Sequence, residues 1–116
     1  NTNIVGLPVG GDLLANVVFM ARVISPNGDG VNDELRIDVD VVNVLLPRQL
    51  TLEIFDLAGR QVYRERQLVE AGRQQLRWEA RDTGGRTVPP GVYVVKLNIS
   101  GDARSESVRR TVAVVY

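Results

Sequence analysis

Hydrophobic and polar residues alternate along most of this chain. In "LRIDVDV", Leu35, Ile37, Val39 and Val41 fall on one side and Arg36, Asp38 and Asp40 on the other, the period of a half-buried strand. "LTLEIFD" sets Leu50, Leu52 and Ile54 against Thr51 and Glu53, and "QLRWEA" places Leu76 with Trp78. "VYVVKLNI" puts Tyr93, Val95, Leu97 and Ile99 on one face with Lys96 and Asn98 outside, and "TVAVVY" turns Val112 and Val114 inward. Turn signals separate these runs: "DLAGR" (56–60), "EAGRQ" around Gly72, "DTGGR" at Gly84 and Gly85, "PPG" (89–91) and "SGDAR" after Ile99, each built from residues that favour tight turns. Strands are therefore predicted over 16–24, 34–44, 49–56, 61–67, 74–80, 91–99 and 107–115. No window carries a 3.6-residue period. Seven short strands with regular turns predict an all-β sandwich of immunoglobulin or fibronectin type.

The first fifteen residues stand apart, so the chain divides into an N-terminal arm, 1–15, and a sandwich, 16–116. Ile4, Val5, Leu7, Val9, Leu13 and Leu14, set among glycines and a proline, make the arm too apolar for a solvated tail. Two readings stay open. An extended apolar arm can add a strand to the edge of an identical subunit, and repetition of that head-to-tail contact builds a filament. Alternatively, the arm folds back and covers an edge of its own domain. The "VGGD" segment (9–12) lacks the Lys-Ser/Thr and the strand-to-helix setting of a phosphate loop.

Composition narrows the chemistry. The 116 residues carry fourteen cationic and fourteen acidic side chains, which argues against nucleic acid as a partner. There is no Cys and no His, which removes thiol nucleophiles, the usual zinc sites and imidazole catalysis. No nucleophile–base pair can be assembled, so the chain is not expected to be an enzyme. No run approaches the ~18 apolar residues of a membrane span. The chain begins with Asn, and a removed signal peptide would account for that. The expected location is extracellular or on a bacterial cell surface.

"SPNGDGVND" (25–33) is the one candidate cation site. Set against a calcium loop, Asn27, Asp29, the Val31 carbonyl and Asp33 occupy ligand positions, and Gly30 the required turn. Ser25 stands where the first Asp belongs and Arg36 where the bidentate Glu belongs. A turn in which Asn27, Asp29 and Asn32 bond backbone amides is the preferred reading, with Ca2+ as its alternative. Asp38 and Asp40 share an open strand face and read as ion-pair partners. Trp78 and Tyr93 read as core, although an aromatic platform for carbohydrate is the other option. Phe55 and Tyr63 fall on the opposite parity of their hairpin and are expected as exposed contacts. The Arg-rich stretch from Arg60 to Arg86 is interleaved with acids and reads as a solvated face.

From Ser25 onward the motif order "SPNGDGVNDEL", "LEIFDLAGRQV", "AGRQQLRWEARDTGGRTVPPGVYVVKL" and "RRTVAVVY" resembles the Ig-like domain family of the bacterial flagellar hook-capping protein. That family merges into the C-terminal sorting domains of type IX secretion cargo. One departure is "WEA" (78–80), where the family usually carries a Gly soon after the Trp. The resemblance implies a seven-stranded sandwich that is appended to, or assembles with, other exported proteins. Three functions follow. The first is a self-assembling extracellular filament subunit, joined through the arm or the sheet edges. The second is a sorting or anchoring domain of a secreted protein, and the third a calcium-dependent carbohydrate-binding module.

Overall fold

Alternation in the sequence becomes burial in the structure. Leu35, Ile37, Val39 and Val41 are buried, as are Leu50, Leu52, Ile54, Leu76, Trp78, Tyr93, Val95, Leu97, Ile99, Val112 and Val114. A computed structural model describes residues 13–26, 33–100 and 105–115. The strands are β1 (Leu14–Phe19), β2 (Val23–Ile24), β3 (Leu35–Val41), β4 (Arg48–Asp56), β5 (Gln61–Val69), β6 (Gly72–Trp78), β7 (Gly91–Ser100) and β8 (Ser105–Val114). They form a three-stranded sheet in the order β1-β3-β6 and a five-stranded sheet in the order β2-β8-β7-β4-β5. Their apolar faces meet in one core cluster. This is the all-β sandwich that the periodicity predicts.

The expected strand over 16–24 divides in two. β1 pairs antiparallel with β3, through a bulge between Ala15 and Val18. The Met20 amide then donates to the Arg36 carbonyl, and the chain crosses to the other sheet. There Val23 and Ile24 run parallel to Ala113 and Val114 of β8, which buries Ile24 completely. One segment thus supplies an edge strand to each sheet and closes that side of the sandwich. It brings the strands among the described residues to eight.

Trp78 and Tyr93 meet edge-to-face in the core, with ring centroids 5.7 Å apart and planes at 64°. Each buried polar tip is satisfied locally. Trp78 Nε1 donates to the Arg81 carbonyl at 2.9 Å, and the Tyr93 hydroxyl donates to the Pro89 carbonyl. This geometry makes both rings core side chains and leaves no open aromatic platform. Past Trp78 the backbone reaches Ala80 at φ 60, a left-handed conformation that a methyl-bearing residue adopts at a cost. The Ala80 methyl is fully buried. That left-handed step ends β6 at Trp78, two residues short of the predicted strand end.

Candidate functional site

Two charges of β8 that fall on the parity of its core side chains, the half-buried Glu106 and the exposed Arg110, are the least expected feature of the fold. Glu106 lies opposite Ile99 and Arg110 opposite Val95, so both share the parity of core side chains. The Glu106 carboxylate accepts the Leu13 and Leu14 amides, both at 3.1 Å. Arg110 stacks over the Phe19 ring, 5.7 Å from its centroid, a cation–π contact. One acid and one base of the five-stranded sheet therefore hold the edge strand of the other sheet at its two ends. Leu13 and Leu14, assigned above to the arm, are buried in the core of their own domain. The remaining arm residues Ile4, Val5, Leu7 and Val9 lie outside the described residues.

Of the candidate calcium ligands, Asn27, Asp29 and Val31 also lie outside the described residues, and Asp33 is half-buried. Among the described residues no group of three or more carboxylates, His or Cys converges as a metal site. Asp38 and Asp40 do share a strand face, inside a polar network. Arg73 reaches Asp40 at 3.1 Å and Asp38 at 3.4 Å, Asn16 donates to Asp40 at 2.8 Å, and Gln75 donates to Asp38 at 3.1 Å. The Asn16 and Arg73 hydrogen bonds hold the Asp40 carboxyl below its usual range. Asp56 is held low in the same way, mainly by the Arg60 amide, which donates to it at 2.9 Å inside the "DLAGR" turn.

Phe55 and Tyr63 were expected as exposed contacts, and both are half-buried. Tyr63 faces the buried Ile54 across the β4–β5 ladder. Its hydroxyl donates to Glu65 at 2.8 Å. Burial, the Glu65 bond and the charges of Glu65 and Glu79 raise the Tyr63 pKa to about 12.

Clefts among the described residues include a polar one of about 450 Å³ lined by Tyr63, Arg77, Trp78, Glu79, Arg81 and Asp82. A broader groove of about 540 Å³ runs between Val17–Arg22 and Arg110–Ala113, beside the exposed Val18, Met20, Val23 and Val92. What the described residues offer is a double sheet with polar chemistry on its outer faces and in its turns, the architecture of an Ig-like β-sandwich domain.

Residues 18–113 match the family described as the CHU_C Type IX secretion signal domain, and the chain belongs to that family. The family is a secretion signal and not an enzyme class, and the resemblance drawn from the four motifs holds. No curated protein matches the chain. Among solved structures it is similar to dimeric latent PorU from Porphyromonas gingivalis, with a TM-score of 0.66 at 14% identity over 85% of this chain. It is similar to PorZ, a surface component of the type IX secretion system of the same bacterium, with a TM-score of 0.51 at 22% identity over 87% of this chain. It also resembles the hook-capping FlgD from Xanthomonas campestris, with a TM-score of 0.51 at 16% identity over 87% of this chain. The chain spans only 9%, 12% and 64% of those three proteins, respectively. At these identities the likeness is one of fold.

Proposed function

We propose that this chain is a sorting module: a folded domain that marks the exported protein carrying it for type IX secretion. The observation that carries this reading is the family match over 18–113, which takes in all or part of every strand of the sandwich. The signal is therefore a whole folded domain, presented by the side chains outside its core. The filament reading is weaker. Its N-terminal arm was to be donated, yet Leu13 and Leu14 are buried in the domain itself and held by Glu106.

The test is a fusion of this chain to a fluorescent reporter carrying an inner-membrane export signal, expressed in a bacterium with a working type IX system. Reporter on the cell surface or in the medium is expected, with periplasmic retention in an isogenic strain lacking that system. Retention in both strains, or release from both, would overturn the proposal. Particle size of the isolated chain separates the filament alternative, since the sorting reading expects no polymer.

A further inference from the structure

The outer face of the five-stranded sheet carries an excess of positive charge that no ion pair among the described residues neutralises. Strand register stacks its outward side chains in rows across β8, β7, β4 and β5. One row runs Arg109, Lys96, Glu53, Arg64, and the row beside it Ser107, Asn98, Thr51, Arg66. Four cations share these two rows with one carboxylate, on a chain whose formal net charge is zero. None of the four forms an ion pair among the described residues.

The other sheet is built differently. There Arg36 and Arg77 share Glu34, and Arg73 bridges Asp38 and Asp40. On the five-stranded sheet Lys96 and Arg109 stand directly opposite each other, and like charges in that position destabilise a ladder. Strands lie ~4.8 Å apart, so the row from Arg109 to Arg64 spans roughly 14 Å. The adjacent row adds hydrogen-bond donors. Ser107 Oγ donates to Asn98 Oδ1 at 2.7 Å, a bond that does not use the Asn98 amide N–H groups.

We infer that this face docks an acidic protein surface. The inference rests on the secretion reading and deepens it by naming the chemistry of the partner that reads the domain. Charge complementarity demands an anionic partner, and the order of charges selects a protein. Glu53 interrupts the cationic row at a fixed point, so the row reads cation, cation, carboxylate, cation. A folded surface can present the matching pattern, whereas a fluid layer of anionic lipid cannot. Three of the four cations are Arg, whose planar fork binds carboxylates bidentately and which is enriched at protein interfaces where Lys is depleted. Phe55 and Val94, half-buried in the next row, add apolar contact. Four strands by about eight residues give about 500 Å² per partner, the scale of a transient contact.

The experiment uses the intact chain and poly-L-glutamate as the probe, with binding followed by fluorescence anisotropy in low salt. Two variants of equal net charge are compared: Arg64→Gln/Arg109→Gln on the face, and Arg22→Gln/Arg86→Gln off it. All four positions are exposed, and a thermal melt confirms that each variant is folded. The expected result is binding that weakens as salt rises, a loss of roughly tenfold or more in the face variant, and less than about twofold in the control. Absence of binding, equal losses in the two variants, or tighter binding to vesicles of phosphatidylcholine and phosphatidylglycerol than to polyglutamate would overturn the proposal. Reporter export is scored separately, so failure of the docking face and failure of the secretion reading are told apart.

Discussion

Glu106 is the sharpest place to test how the sandwich is held shut. Its carboxylate accepts two backbone amides, each at 3.1 Å, from residues more than ninety positions away. Hydrogen bonds to a charged group contribute about 1.5–3 kcal/mol each when well buried. This site is half-buried and the amides can rehydrate, so we take about 2 kcal/mol for the pair. A ceiling comes from Leu13 and Leu14 themselves, since exposing each buried Leu costs about 1.5–3 kcal/mol. Glu106→Ala should therefore cost about 2 kcal/mol, or about 4 kcal/mol if the strand end also frays. For a domain of this size that is a Tm lower by about 8 °C or more. Glu106→Gln keeps an acceptor and should lose about half as much. Glu106→Asp cannot reach the amides and should behave like Ala. Urea denaturation measures the loss, and hydrogen exchange at the Leu13 and Leu14 amides locates it. A loss under about 0.5 kcal/mol in Glu106→Ala, with Leu14 protection unchanged, would refute the clasp.

Ala80 tests the left-handed step after Trp78. Glycine there would relieve about 1 kcal/mol of backbone cost and lose about 0.8 kcal/mol of buried methyl. Ala80→Gly should thus be near neutral by thermal melt, whereas the β-branched Ala80→Val should cost about 3 kcal/mol. The raised pKa of Tyr63 means that the fold favours the neutral phenol. Its contribution is complete below pH 10 and disappears as pH rises through about 12. Tyr63→Phe should remove about 1 kcal/mol of that alkaline loss in urea titrations, a figure discounted for the solvent at this half-buried site. Asp40 has the opposite sign: its lowered pKa gives stability present above the unfolded value of 3.8 and lost as pH falls below it. Asp40→Asn should be less stable at neutral pH and show a flatter acid limb, measured by thermal melts between pH 2 and 6.

The strands were legible because their partners are opposite faces of one core, and a period of two reports that directly. Three features were not legible in this way. The run "LANVVF" followed by "MARVI" is apolar without clean alternation, so nothing local shows that it changes sheets after Phe19. Glu106 and Arg110 are visible as charges on the inward parity of the last strand, but their partners Leu13, Leu14 and Phe19 lie at the other end of the chain. Tyr63 fails for a subtler reason. Counting back from a turn that sets Asp56 opposite Arg60 puts Tyr63 opposite Glu53, on the outer face. A bulge shifts the register by one between Ile54 and Phe55, and Tyr63 meets Ile54 instead. A slip of one residue moves a side chain to the other face.

The same sandwich recurs in PorU, PorZ and FlgD at 14%, 22% and 16% identity. A backbone shared by proteins that differ so much in sequence cannot by itself be an address. The core carries no address either, because its inner residues answer only to packing. What remains to distinguish one such domain from another is the outward parity of the strands and the turns between them. On this chain those positions are unequal. The three-stranded sheet settles its cations against Glu34, Asp38 and Asp40, and so presents a neutral face. On the five-stranded sheet Arg64, Arg66, Lys96 and Arg109 form no ion pair among the described residues, and Glu53 is the one carboxylate in their two rows, at positions fixed by the ladder. Glu53 stands directly across from both Lys96 and Arg64 and forms an ion pair with neither, whereas Asp40 pairs with Arg73, its own cross-strand neighbour. A recognition code written in charge would therefore be read on the five-stranded face.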